Sequence, residues 1–289
     1  MRAPIVAIVA LCLAVPLWAA GNAPFLSEPG WTATAKVDWA SAALQVEITR
    51  DLDPSTASLV RAKADAETDV DGRLPDLLAR AISTVQVDSS HLYGAYLQSD
   101  PGLFARVSDL AEAARLVGLS LSGDFSRLVA RYDVPLFGDA GIATPLFPSQ
   151  ASPIRRRLGD VTTRKYTGLL IFAQGPLPEA GTSRMTRARP AVFPRIWDEQ
   201  MNLVLDRTMC SPESLARWGM VGYAQSLDDP AADLRVGALP LRLSARGVFG
   251  DTPTDIVIST DGARQLLALP ENIAFLREGR IVIVYDSLN

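Results

Sequence analysis

The chain has 289 residues, with 28 Lys and Arg against 32 Asp and Glu and a formal net charge of −4. Hydrophobic residues make up 48% and charged residues 21%, proportions typical of a globular protein, which excludes a disordered chain. A single histidine, His91, excludes a metal site built from several histidines.

The first twenty-one residues predict export from the cytosol. Arg2 precedes an unbroken apolar run over 4–18, and small residues follow at 19–21. A charged start, an apolar middle of this length and a small-residue exit are typical of a secretory signal peptide, and the run is too short for a membrane span. We therefore predict that residues 1–21 are removed and that the mature chain is periplasmic, either free or peripheral to the outer membrane, with no transmembrane segment.

Residues 22–137 predict an N-terminal α+β domain. Period-two alternation indicates a β-hairpin over 32–49, and Asp53-Pro54 is typical of the start of a helix, which Gly72 and Pro75 should bend or break. Asp100-Pro101 predicts a second helix. The predicted order is two strands, two helices and two strands, the last pair at 116–121 and 125–136. Strands and helices segregated in this way favour an antiparallel sheet with helices on one face.

A Gly/Pro/Ser-rich stretch over 138–160 predicts a linker or loop, and residues 161–289 predict a second, mixed-sheet domain. Its predicted strands lie at 168–173, 191–197, 203–205, 239–248, 255–258 and 280–285. Short helices are predicted after Ser211-Pro212, ending at Gly219, and over 261–269. The closing strand, helix and strand favour parallel pairing through a right-handed crossover, with the last strand central because it is apolar on both faces.

Positive charge is concentrated in one segment, which we call the arginine band, residues 154–195. It holds nine Lys and Arg against two acidic residues. The candidate anion- or partner-binding residues are Arg155, Arg156, Arg157, Arg164, Lys165, Arg189 and Arg195. They could bind cell-wall polymers, lipid headgroups or an acidic partner, whereas nucleic acid is not expected outside the cytosol. The alternative is that these side chains pair with the acidic first half of the chain.

Other candidate sites lack the patterns that their chemistry needs. Ser89-Ser90-His91 has no nucleophile-elbow context, and Asp228-Asp229 lacks the calcium-loop spacing. Once the leader is removed, Cys210 is the only cysteine; it is interpreted as a small buried hydrophobic residue or, alternatively, as a reactive thiol. We therefore predict no catalytic residues, no metal site and no cofactor.

Four segments carry a resemblance: Tyr166-Thr167-Gly168-Leu169 with the strand that it opens, the stretch from Arg189-Pro190 through Pro194 to Asp198-Glu199, and the closing segments 255–259 and 276–284. They resemble a family of uncharacterised spirochaete-type exported envelope proteins and, more distantly, flagellar assembly protein T and small outer-membrane lipoproteins. Gln174 stands where the flagellar group has an arginine. The family-like motif residues are Tyr166, Thr167, Gly168, Leu169, Pro190, Pro194 and Asp198.

The resemblance implies a structural or assembly role in the envelope, with an envelope or flagellar protein as partner and no catalytic residues to transfer. We therefore expect a non-enzymatic envelope module, with a flagellum-associated role as one form of it. The alternative is a periplasmic binding protein that holds an anionic cell-wall or lipid-headgroup ligand on the arginine band.

Overall fold

The structure is a computed structural model that describes residues 24–56, 58–111, 114–157 and 161–286. The predicted signal peptide, residues 1–21, lies outside the described residues. The strands are β1 (Leu26–Glu28), β2 (Trp31–Asp38), β3 (Ala43–Asp51), β4 (Arg115–Leu121), β5 (Arg127–Pro135), β6 (Leu169–Phe172), β7 (Leu177–Pro178), β8 (Met185–Thr186), β9 (Ile196–Asp198), β10 (Leu203–Leu205), β11 (Gly222–Ala224), β12 (Leu241–Ser244), β13 (Gly247–Phe249), β14 (Asp255–Ile258) and β15 (Ile281–Val284). The α-helices are α1 (Leu59–Ser83), α2 (Tyr93–Ser99), α3 (Pro101–Ala111), α4 (Pro212–Trp218), α5 (Pro230–Val236), α6 (Thr260–Ala268) and α7 (Pro270–Arg277).

The N-terminal domain is a five-stranded antiparallel sheet in the order β1-β2-β3-β5-β4, with α1, α2 and α3 packed together and α1 against the central strands. Alternate residues of β3 and β5 are buried, as the period-two pattern predicts. Against them α1 presents a buried stripe that runs from Ala62 to Ile82. The α+β class predicted for this half is therefore confirmed.

Helix α1 differs from the prediction at two places. It begins at Leu59, because the Asp53 carboxylate instead accepts hydrogen bonds from the backbone and hydroxyl of Ser55 and closes a turn. It also continues through Gly72 and Pro75 to Ser83 without ending. Both residues lie on the exposed side, so the buried stripe on the opposite side is uninterrupted and tertiary packing outweighs the proline penalty.

The C-terminal domain contains two four-stranded sheets. One is wholly parallel, in the order β11-β15-β6-β12, and the other is mixed, in the order β10-β9-β14-β13. The terminal strand β15 is central and buried on both faces, as predicted. One face of the parallel sheet packs into the main core, while the other forms a small separate cluster beneath α5.

Two topological predictions for this domain are wrong. Strands β14 and β15 do not pair with each other, because β14 pairs with β9 whereas β15 lies between β11 and β6 in the other sheet. The single strand predicted at 239–248 is divided into β12 and β13, which belong to different sheets. Both errors concern which distant strand becomes the partner, which local periodicity does not specify.

The two domains share one hydrophobic core, and backbone hydrogen bonds join them. The amides of Val192 and Phe193 donate to the carbonyls of Gln86 and Val87 at 3.0 and 2.8 Å. The loop over 138–157 is docked as well, since Ile142 is fully buried and the Gly138 amide donates to Ala216. This packing leaves a cleft where the edge of the first domain meets the second.

Candidate functional site

The arginine band is largely neutralised inside the C-terminal domain. Arg157 contacts Asp198 at 2.9 Å, Arg195 contacts Asp255 at 3.3 Å and Lys165 contacts Glu271 at 2.5 Å. These acids belong to the second domain, so the expectation that the band pairs with the acidic first half is wrong for these three residues.

The remaining band candidates divide into two groups. Arg156 donates to the carbonyl of Ala268 at 2.7 Å, and Arg164 lies over the Tyr166 ring at 5.5 Å. Arg155 and Arg189 are exposed, and their side chains make no ion pair or hydrogen bond within the described residues. The band therefore offers only scattered unpaired cations rather than one positive face.

The family-like motif residues build the frame of the C-terminal domain. Gly168 leaves no room for a Cβ, which would lie 2.6 Å from the Val236 carbonyl oxygen and 2.8 Å from that of Arg280. The Thr167 hydroxyl accepts a hydrogen bond from the Leu239 amide at 2.9 Å. The other members are placed in the same frame: Leu169 is buried in β6, the Tyr166 amide donates to Asn272, and Pro190 and Pro194 flank the buried segment 191–193.

Asp198, the last motif residue, is fully buried at the end of β9. Its carboxylate accepts hydrogen bonds from Arg157 and from the side chain and backbone of Asn202. Burial pushes the pKa of Asp198 upward, but the hydrogen bonds from Asn202 and Arg157 outweigh it and leave the pKa below its usual value. Asp198 therefore fixes the β9–β10 turn and anchors the segment before β6.

A second buried carboxylate, Asp255, connects the two domains. It accepts hydrogen bonds from Ser89 of the first domain and from the Trp197 indole, each at 3.1 Å, and forms the ion pair with Arg195. Burial raises the pKa of this carboxyl, and the hydrogen bonds and Arg195 only partly oppose that rise. The Ser89 side chain is thus committed to Asp255.

His91 lies apart from that network. Its Nδ1 is 3.0 Å from the Asp88 carboxylate, which also accepts a hydrogen bond from the Tyr96 hydroxyl at 2.7 Å. Since Ser89 bonds to Asp255 and His91 bonds to Asp88, the structure does not bring them together as a nucleophile and its base.

Cys210 is buried, and burial raises the pKa of its thiol to about 12. The thiol is therefore un-ionised at neutral pH, which agrees with the interpretation as a small hydrophobic residue rather than with the reactive alternative.

We call the hollow between the domains the domain cleft, and define it by Trp39, Arg217, Trp218, Tyr223 and Arg235. It has a volume of about 350 Å³. The Trp39 ring from the β2–β3 turn meets the Tyr223 ring edge to face at 5.1 Å, so each domain supplies one part of an aromatic wall.

Two arginines face this cleft without a carboxylate partner within the described residues. Arg235 is 8% exposed, and its guanidinium donates to the carbonyls of Trp218, Gly219 and Gly279, each at 2.8 Å. Burial lowers its pKa to about 9, so it remains a cation at neutral pH. Arg217 is exposed and lies over the Trp218 ring at 4.6 Å.

The composition of the cleft distinguishes it from the hollow beside it. The residues that line the domain cleft include two arginines and no acid. The adjoining hollow, which shares Trp39 and Tyr223, carries Asp38, Asp228 and Asp229. Asp38 and Asp229 accept hydrogen bonds from nearby backbone amides and close local turns, which accounts for these acids without a cation.

Sequence reasoning missed the domain cleft. The available signals were a tryptophan in a hairpin turn, Trp39-Ala40-Ser41, and the tripeptide Arg217-Trp218-Gly219 at a helix end. Neither signal reveals that the two segments meet, because they lie in different domains. Within the described residues, no group of three or more His, Cys, Asp or Glu side chains could hold a metal ion, and no helix is long and apolar enough to cross a membrane.

The fold and the cleft define a two-domain α+β protein with a candidate ligand site at its domain boundary. Residues 31–141 match the family model described as the N-terminal domain of Treponema pallidum Tp0624, and residues 168–287 match the model of the second domain of the same protein. The two matches follow each other in order, so the chain is similar to Tp0624 over both of these domains.

These matches confirm the spirochaete part of the resemblance seen in the sequence. The similarity to flagellar assembly protein T stays a prediction. No curated protein matches the chain significantly.

Proposed function

We propose that the protein is a non-enzymatic binding module of the cell envelope that holds an anionic ligand in the domain cleft. The observation that carries the proposal is the pair Arg217 and Arg235, two cations that face an aromatic-walled hollow without a carboxylate partner among the described residues. We therefore propose the domain cleft as the ligand site in place of the arginine band, where carboxylates neutralise several of the cations.

Three physical features support binding at this place. The buried Arg235 guanidinium is held by three carbonyls, so its charge is fixed in position before any ligand arrives. Arg217 lies at the surface, where it can reach a carboxylate or phosphate. The rings of Trp39, Trp218 and Tyr223 provide apolar area that suits a sugar ring or an acyl or peptide stem.

The proposed ligand is an envelope component that joins an anionic group to an apolar or sugar portion. Cell-wall fragments and lipid headgroups both have this chemistry, and both occur in the compartment that the leader predicts. A structural or assembly role, flagellar or otherwise, remains a proposal beside this one, since a module that binds the wall or the membrane surface would also position a partner protein.

The test measures binding to the mature chain, residues 22–289, by quenching of Trp fluorescence. The probes are a disaccharide-tetrapeptide muropeptide and glycerol phosphate, each titrated at low and at high salt. We expect saturable quenching that weakens as salt rises, because screening reduces an attraction between exposed charges. The two probes distinguish a cell-wall source of the anion from a lipid source.

Matched variants locate the site. Arg217→Gln should weaken binding at least tenfold, whereas the double variant Arg155→Gln, Arg189→Gln should bind like the wild type. The reverse result would return the site to the arginine band. Unchanged binding in both variants, or no binding of either probe to the wild type, would reject the proposal. Thermal unfolding of each variant verifies that the fold is retained.

A further inference from the structure

Strand β4 is an open and apolar edge of the N-terminal sheet. It is the last strand in the order β1-β2-β3-β5-β4 and pairs with β5 on one side only. Leu116, Val117 and Leu119 are 49%, 45% and 40% exposed. From 116 to 121 the strand contains neither a charged residue nor a proline. Such an edge offers unpaired backbone groups to another strand.

The opposite edge of the same sheet is protected. Strand β1 has only three residues and is followed by Pro29, and its Glu28 pairs with Arg73 of α1 at 3.1 Å. Shortness, a nearby proline and a charged residue are the usual devices that prevent edge-to-edge pairing. Strand β4 is longer than β1 and has a charged residue only at its first position, Arg115, so the stretch 116–121 has none of these devices and is open to another strand.

We propose that β4 pairs antiparallel with β4 of a second copy of this chain, which joins the two N-terminal sheets into one across a two-fold axis. This surface lies apart from the domain cleft and does not depend on the ligand proposed for it. When the two-fold axis passes through Leu119, antiparallel self-pairing sets this residue against its own copy. The two exposed Leu119 side chains then cover part of each other.

The charges at the ends of the strand favour a second copy as the occupant. Arg115 is 79% exposed at the start of β4, and its contact with Asp133 is long, at 3.7 Å. Asp124 lies in the turn just beyond the other end, where hydrogen bonds from Ser122 and Ser126 hold its pKa far below its usual value. In the antiparallel arrangement, Arg115 of each copy lies next to the 122–124 turn of the other, whereas a parallel arrangement would place like charges together.

The rest of the edge is compatible with this pairing. A bulge between Leu116 and Gly118 interrupts the β4–β5 register, so the regular part available for pairing is Gly118–Leu121. Arg127, one strand further in, lies opposite Asp51 of β3 in the sheet register. A short regular segment with charges at its ends predicts a dimer that dissociates on dilution.

Sedimentation equilibrium of the mature chain over a wide concentration range tests the proposal. We expect a monomer–dimer equilibrium for the wild type. Leu119→Lys, which places a charge in the middle of the edge, should raise the dimer dissociation constant at least tenfold. The matched control is Val60→Lys, since Val60 is 79% exposed on α1 of the same domain and should leave the equilibrium unchanged.

A charge exchange separates self-pairing from other modes of association. Arg115→Asp alone should weaken the dimer, and the double variant Arg115→Asp, Asp124→Arg should restore it, because each copy then carries both reversed charges. A wild type that stays monomeric at all concentrations overturns the proposal. So does a dimer that is insensitive to Leu119→Lys, or a double variant that associates no better than Arg115→Asp. Circular dichroism of each variant verifies the fold.

Discussion

The arginine band and the domain cleft use the same side chain in opposite ways. In the band, Arg157 and Arg195 each contact a fully buried carboxylate, so their charges are consumed within the fold. In the cleft, Arg235 is more buried than either, but its hydrogen bonds go to carbonyls and not to a carboxylate, and both Arg235 and Arg217 lie over the Trp218 ring. The segment richest in arginine is therefore not the place where positive charge is left over.

A count of charges along a sequence describes composition and not the electrostatic field that a ligand meets. A carboxylate within contact distance cancels most of the field of an arginine, whereas carbonyl dipoles hold the guanidinium and leave its net charge. This contrast can be tested by asking whether the ion pairs of the band stabilise the fold and whether the arginines of the cleft depend on carbonyls alone for their hydrogen bonds.

The largest expected effect is at the buried carboxylate that joins the domains. Asp255→Ala leaves Arg195, the Trp197 indole and Ser89 without their shared acceptor, and we expect the free energy of unfolding to fall by about 3 kcal/mol. Urea denaturation measures the change. Asp76→Ala, which breaks an exposed pair on α1, is the control and should stay within about 0.5 kcal/mol. Equal losses of unfolding free energy in the two variants would mean that the buried pair of the band stabilises the fold no more than an exposed pair does.

The second largest loss of stability is expected for a substitution in the domain cleft. Arg235→Met removes the donors to three carbonyls and should lower the free energy of unfolding by about 2 kcal/mol. Arg242→Met is the control, because Arg242 is exposed on β12. If the two variants unfold alike, the three carbonyls do not depend on Arg235, and the contrast between band and cleft loses its structural basis.

The two buried carboxylates that pair with the band, Asp198 and Asp255, should respond to pH in opposite directions. A raised folded-state pKa, as at Asp255, contributes stability at acid pH that is lost as the pH rises above the ordinary value of 3.8. A lowered one, as at Asp198, contributes stability that is present above 3.8 and lost as the pH falls below it.

Unfolding of the wild type, Asp255→Asn and Asp198→Asn across acid pH tests this contrast. The stability advantage of the wild type over Asp198→Asn should grow with rising pH, while its advantage over Asp255→Asn should shrink. Parallel profiles would contradict the opposite pKa shifts.

The smallest effect is at the surface of the band. Arg184 contacts Glu179 through two hydrogen bonds of 2.9 Å but is 73% exposed, so Arg184→Ala should cost at most about 1 kcal/mol. Raising the salt concentration should reduce this cost further. A cost as large as that of Asp255→Ala would show that exposure does not separate the two kinds of pair.

Local pattern predicted the elements of the fold better than their partners. The alternation in β2 and β3 and the two-sided apolar character of β15 were sufficient to predict the hairpin and the central strand. The same reasoning predicted the wrong partner for β14. The pairing of β14 with β9 depends on how these two strands, which carry the buried Asp255 and Asp198, meet in the fold and not on the residues between β14 and β15. Helix α2 has only 7 residues, and its sequence has no periodic pattern strong enough to predict it.

The candidate site was less predictable than the fold. The band was found because its residues are neighbours in sequence, whereas the cleft joins Trp39 to a segment that begins at Arg217. The partners that neutralise the band, Asp198, Asp255 and Glu271, all lie beyond its C-terminal end, so a count of charges within 154–195 includes none of them.

The amides of Val192 and Phe193, which bond to the first domain, constrain how this protein can change over evolutionary time. Each family match covers one part of the chain, yet the buried residues of the two parts form one continuous core. A recombinant that takes its halves from two relatives would need donors other than proline at 192 and 193 and a matching contact between the side chains at 39 and 223. The two halves are therefore expected to be inherited together and to accept substitutions at these contacts as coordinated pairs.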